Sequence, residues 1–262
     1  MSYGASGLLS GSTFTFMRLQ LVSDLHLDFL SFKDQWKKLI DHIIQCNVID
    51  EEGADVLVIA GDLAEIKNPI WIQAIKLLAT AYPYVILVLG NHEHYHSSQS
   101  SVQRITKCLP LNVLFLDNDS VVIKDKTIAG STLWFPKTVP SERVNYFSDF
   151  YAIPDLKSWV FDYHEQAKDF LRSSQADVIV THHAPHVKSI HPTFTGNCLN
   201  PFFICDCTEI IESVQPKVWF HGHTHHGFHY VVKNTTVLAN PFGYPREHYW
   251  SFDQYPSCFI SI

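Results

Sequence analysis

Residues 219–226 read Trp219-Phe220-His221-Gly222-His223-Thr224-His225-His226. Val218, Trp219 and Phe220 form a short apolar run with strand propensity, after Pro216 and Lys217. Four histidines then fall within six positions, interrupted by Gly222. Alternation at the end of a strand predicts His223 and His225 on one side, with Thr224 pointing away. Two imidazoles converging from one short segment suit a metal ion; a His-rich solvated loop is the plainer alternative.

Other segments decide between the two, because each also places a polar cluster after an apolar run. Residues 16–22 read as a strand ending in Ser23-Asp24-Leu25-His26-Leu27-Asp28. Asp24, His26 and Asp28 alternate with leucines, and a carboxylate with an imidazole two positions on can chelate one ion. Residues 56–60 form a short buried strand ending in Gly61-Asp62-Leu63-Ala64-Glu65. Residues 84–89 form a third, ending in Gly90-Asn91-His92-Glu93-His94. Residues 176–180 form another, ending in Thr181-His182-His183. Periodic apolar residues predict helices at 36–48 and 71–80, between the early strands. The pattern is an α/β fold with polar side chains gathered at the carboxyl ends of strands, where open α/β sheets bind ligands.

The 262 residues are 46% hydrophobic and 17% charged, enough for one sizeable core. Without a Gly/Ser tract, charge block or Pro-rich spacer, residues 16–262 read as a single domain. Residues 1–15 lack the charged start of a signal peptide and read as a leader or disordered tail, with Met17 a candidate biological start. No apolar run approaches the length of a membrane span, and a cytoplasmic location follows by default. A formal charge of -7, from 19 Lys+Arg against 26 Asp+Glu, argues against broad binding to nucleic acid or anionic membrane. Six cysteines without zinc-knuckle spacing read as reduced thiols.

Short strands are expected at 113–116, 120–124 and 127–130, a helix at 162–173, another at 204–214, and a hairpin through Lys233-Asn234. A last strand is expected at 258–262. Residues 131–161 are irregular and aromatic, with three prolines. They pack over a sheet edge or face the substrate. On the second reading Trp134, Arg143 and Tyr146 are candidate substrate contacts, and Arg246 is a candidate partner for a phosphate.

The set Asp24-x-His26, Gly61-Asp62-x-x-Glu65, Gly90-Asn91-His92-Glu93, Thr181-His182-His183 and Gly222-His223-Thr224-His225 resembles the calcineurin-like metallophosphoesterase superfamily, in order and spacing. Asn240-Pro241-Phe242-Gly243-Tyr244 is similar to a segment of its small bacterial members. The resemblance implies a four-layer αββα sandwich of two mixed β-sheets flanked by helices, and two divalent metal ions. It implies Asp24, His26 and His225 on one ion, Asn91, His182 and His223 on the other, and Asp62 bridging. It places His92 beside the ions without ligating either, and Glu65 where the family has an acid that orients that histidine. His183, His226, His94 and His96 fall outside the ligand set, and Asp28 is a candidate partner for a ligand histidine.

The chemistry calls for these residue types. Two divalent ions clamp a phosphate and acidify a shared water, and a bridging carboxylate keeps them close. Mixed oxygen and nitrogen ligands suit Mn, Fe or Zn. In-line attack builds charge on the leaving oxygen, to which His92 donates a proton. The expectation is a hydrolase of a small phosphoester, either monoester or diester. A metal-dependent nuclease and a non-catalytic metal-binding scaffold are the alternatives.

Overall fold

The computed structural model describes residues 16–137, 147–247 and 252–262. The candidate leader therefore lies outside the described residues, as do Arg143 and Tyr146. The first three strands are β1 (Arg18–Val22), β2 (Val56–Ala60) and β3 (Tyr84–Val88), with helices α1 (Gln35–Ile49) and α2 (Pro69–Ala81) between them. In α2 Asn68 caps the first turn, accepting from Ile70 N–H at 3.0 Å, and Pro69 fills the first helical position, where no N–H is needed. The short helices α3 (Asn91–His94) and α4 (Gln99–Thr106) follow β3. Next come β4 (Val113–Phe115), β5 (Asp119–Ile123), β6 (Lys126–Ser131), α5 (Asp149–Ala152) and α6 (Leu156–Ser173). The chain continues through β7 (Val178–Thr181), α7 (Thr208–Val214), β8 (Val218–His221), β9 (Phe228–Val232), β10 (Thr235–Ala239) and β11 (Phe259–Ser261).

The strands form two mixed sheets, β11-β1-β2-β3-β4 and β5-β6-β7-β8-β10-β9. Strands β1 to β4 are mutually parallel, as are β6, β7, β8 and β10. Hairpins and the last strand add the antiparallel pairs. Side-chain alternation explains the layering. Leu19, Leu21, Val56, Val58, Ile86 and Val88 meet Ile128, Val178, Val180, Val218 and Phe220 between the sheets. The alternate residues Leu57, Ile59, Val85 and Leu87 pack outward on Trp36, Leu39, Trp71 and Ile75 of α1 and α2. On the far side Ile179, Trp219 and Val237 pack against Leu171, Ile210 and Ile211. The result is the expected four-layer αββα sandwich.

Some element bounds differ from expectation. Helix α6 starts at Leu156 rather than 162, so Trp159 and Phe161 are helical and the irregular segment is shorter. Its buried residues Leu156, Val160, Ala167 and Leu171 carry the helical period that the aromatics masked. Helix α7 starts at Thr208 rather than 204. The polar α4, capped by Ser98, buries only Val102 and had no apolar signature.

Candidate metal centre

Because β1, β2, β3, β7 and β8 run parallel within their sheets, their carboxyl ends bring Asp24, Asp62, Asn91, His182 and His223 to one edge. The backbone there is unusual. Asp24, His26, Asp62, His223 and His225 all have positive φ, between 43° and 69°. L-residues rarely adopt that region, and such strain concentrates at functional sites. The approach of the loops is close. A Cβ on Gly61, itself at φ 87°, would overlap His182 Nδ1, and one on Gly90 would overlap Asp62 Oδ1. Strand alternation therefore does not orient His223 and His225. Strand β8 ends at His221, and left-handed turns aim the two rings at different halves of the site.

Two groups of candidate ligand atoms result, each within 4.8 Å: Asp24, His26, Asp62 and His225 in one, Asp62, His182 and His223 in the other. Asp62 is common to both. Asn91 joins the second group, with Oδ1 3.0 Å from His182 Nε2. Hydrogen bonds fix two of the tautomers. His182 Nδ1 donates to the Ala60 carbonyl at 2.9 Å, and His225 Nδ1 pairs with Glu247 Oε2 at 2.7 Å. Their Nε2 atoms are thereby turned inward. His225 Nε2 lies 2.9 Å from His26 Nε2 and 3.7 Å from Asp24 Oδ1. Ligands at about 2.0–2.2 Å from one ion, in tetrahedral to octahedral arrangement, stand roughly 2.8–3.6 Å apart. The 2.9 and 3.0 Å spacings fall in that range and the 3.7 Å one lies just above it, and Asp24 Oδ2 and His223 Nε2 are buried without a hydrogen-bond partner. The donor set fits divalent cations.

The electrostatics agree. Burial pushes the Asp24 carboxyl up and holds the His26 and His223 imidazoles well below their usual range, so both rings keep lone pairs. Burial works against charge on Asp62 as well, but His182 and His92 hold its carboxyl well below normal. Burial disfavours charge on His182, but Asp62 beside it outweighs that and raises the ring to about 9, so positive charge next to Asp62 is favoured. A divalent cation would take over that role.

His92 lies beside these groups. Its ring is 4.4 Å from that of His26, its backbone N–H donates to Asp62 Oδ1 at 2.9 Å, and its Nε2 meets the Tyr244 hydroxyl at 2.8 Å. The expected Glu65 contact is not formed. Glu65 Oε2 reaches His96 Nδ1 at 3.2 Å instead, and His92 Nδ1 is buried without a partner. The acid that organises this turn is Glu93, which accepts from the N–H groups of Asp62, Leu63 and Gly90 at 3.0, 2.7 and 2.8 Å. Asp28 Oδ1 and His26 Nδ1 are each without a hydrogen-bond partner, so no Asp28 bond to that ring is formed.

A cavity of about 350 Å³ opens on the site, lined by Asp62, Asn91, His92, His223, His225 and Tyr244 among others. Of the aromatic segment, Phe147, Ser148 and Asp149 line it. Trp134 does not. It is 1% exposed and packs on His94, Trp159 and His183, so it is core rather than a substrate contact. Arg246 is exposed and also lies off the cavity lining, unlike its neighbour Glu247. His183 packs tilted against His223, and His226 stacks on His191. Sequence reasoning missed Tyr244 as a partner of His92, Glu247 as a partner of His225, and Asp149. For Tyr244 the Asn-Pro-Phe-Gly-Tyr segment was a usable signal; the other two had none.

These strand-end candidate ligands on an αββα sandwich form a candidate metallophosphoesterase-type site. A sequence profile of the calcineurin-like phosphoesterases matches residues 17–227, and the chain belongs to that family. It is 23% identical over 264 residues to the uncharacterized protein L509 of Acanthamoeba polyphaga mimivirus, covering 87% of this chain and 92% of the viral one. Its fold is similar to the phosphopantetheinyl hydrolase PptH from Mycobacterium tuberculosis, with TM-score 0.67, 17% identity, and 87% and 90% of the two chains covered. It also resembles TT1561 of Thermus thermophilus, at TM-score 0.58 and 14% identity over 94% of this chain and 98% of that one. No helix among the described residues is long and apolar enough to cross a membrane.

Proposed function

We propose that this chain hydrolyses phosphoric esters of small molecules, using two divalent ions held at the two ligand groups that share Asp62. The observation that carries this is the sharing itself. One carboxylate belongs to both groups, and both face a single cavity with His92 at its side. Asp24, His26, Asp62 and His225 would hold one ion; Asp62, Asn91, His182 and His223 would hold the other. When bound there, Mn, Fe or Zn would supply the charge that binds phosphoryl oxygens and acidifies the attacking water. Water adds to phosphorus, the ester P–O bond breaks, and the leaving oxygen takes its proton from His92. Tyr244 holds the His92 ring through its Nε2.

The cavity favours a small substrate over a nucleic acid. Among its described lining residues there is no Lys or Arg, while Asp149 and Glu247 are acidic. A polyanion binds by neutralising phosphates along its length, and the described lining of this cavity offers no Lys or Arg for that. The test is turnover of an aryl phosphate monoester, a bis-aryl phosphate diester and a single-stranded oligonucleotide with Mn²⁺ or Zn²⁺, against a chelator control. Metal-dependent release of the small alcohol is expected. Absence of turnover under every metal would leave the scaffold reading, and faster oligonucleotide cleavage would favour a nuclease.

A further inference from the structure

We infer that Asp149 and the loop at residues 190–204 form a recognition site for the alcohol part of the substrate, selecting a neutral or cationic alcohol that carries a hydrogen-bond donor. This rests on the hydrolase reading above. Asp149 is 1% exposed and lines the cavity. Its Oδ1 accepts from Asn91 Nδ2 at 3.1 Å and from the Tyr95 hydroxyl at 2.7 Å. Its Oδ2 is buried with no hydrogen-bond partner among the described residues. Buried polar atoms are normally paired, and an unpaired one calls for a functional reason. With Oδ1 held from two sides, the carboxylate plane is fixed and Oδ2 is left to accept. A ligand hydroxyl, amide N–H or ammonium completes it, and the described lining offers no lysine or arginine to hold a second phosphate or a carboxylate.

The body of the alcohol meets apolar surface. Phe203 stacks on the His223 ring at 4.5 Å and meets Phe147 edge-on at 5.7 Å. Ile190, Leu199 and the partly exposed Phe194 continue that wall. The loop's amides serve the loop itself: Asn200 Nδ2 donates to the Phe194 carbonyl and Asn197 Oδ1 accepts from Leu199 N–H. Phe202 anchors the loop, stacked flat on Phe147 at 4.5 Å. The wall is therefore preorganised and largely apolar, with the unpartnered oxygen of Asp149 as its acceptor. Such a site gains little from an extra methylene and much from a matched donor, because a mismatch leaves the acceptor unpaired.

The test uses the metal-loaded full chain and benzyl phosphates substituted at the meta or para position with hydroxymethyl, methyl or carboxylate. These groups are remote from the ester, so the leaving alcohols differ little in basicity. Wild type should prefer one hydroxymethyl isomer over its methyl counterpart by about tenfold or more in kcat/KM, and reject the carboxylate most. Asp149→Asn keeps an oxygen for Asn91 and Tyr95 but turns the free acceptor into a donor. It should collapse the hydroxymethyl preference and raise the carboxylate relative to the others. Equal treatment of all esters by wild type, or an equal loss on all of them in Asp149→Asn, would overturn the inference; the second outcome would show Asp149 acting through Asn91 alone. If nothing is hydrolysed, the hydrolase reading fails separately. Calorimetry with benzenedimethanol and methylbenzyl alcohol then reads the same preference: present in wild type and lost in Asp149→Asn, the site stands; absent, it falls.

Discussion

The hydroxyl of Tyr244 meets Nε2 of His92 at 2.8 Å, across 152 positions of sequence. The phenol ring also packs on His26 at 4.4 Å and on His225 at 4.7 Å, so one side chain touches three histidines of the site. If His92 donates the proton, His92→Ala should slow an unactivated ester by about 10²- to 10⁴-fold and an ester with a good leaving group much less. Tyr244→Phe should cost about two- to tenfold, the worth of one hydrogen bond. In the double variant the Tyr244 effect should vanish. Fully additive losses would show that Tyr244 does not act through His92.

Asp62 is the shared member of both ligand groups. Asp62→Asn is expected to lose most activity and to bind fewer than two ions per chain. Metal analysis finding two tightly held ions in that variant would refute the bridging role.

Metal removal should destabilise the fold. Five chain segments converge at the site, and buried Asp24, His26 and Asp62 crowd together there. An ion that binds the native state alone stabilises it by about 4 kcal/mol when free at ~1,000 times Kd. Chelation should lower the melting temperature, and addition of Mn²⁺ or Zn²⁺ should restore it. An unchanged melting curve after verified metal loss would count against resident ions.

Glu93 ties the Asp62 and Asn91 turns together through three backbone N–H groups. In Glu93→Gln an amide NH₂ faces at least one of those donors. The expected loss of stability is roughly 2–3 kcal/mol, read by denaturant titration. A variant as stable as wild type would show that the turns are held by other contacts.

Much of this was legible in the chain. Each candidate ligand follows an apolar run, as in Val56–Ala60 before Gly61-Asp62, and the runs are short enough to be strands. A strand fully buried on both faces shows as a continuous hydrophobic stretch, and a parallel strand brings its end residues to a common edge. The local order of residues therefore pointed to an α/β fold with its polar clusters at strand ends, and the family resemblance added the four-layer sandwich. What it did not determine was the pairing of side chains. The family resemblance pointed Glu65 at His92, but Glu65 pairs with His96, and the partner that His92 does have is Tyr244. Trp134 looked like a substrate contact by its place in an aromatic segment, and burial among His94, Trp159 and His183 makes it core. Asp149 and Glu247 carry no local signature at all. Side-chain partners separated by tens to hundreds of residues are chosen by where folded elements meet, and only the tertiary structure records that meeting.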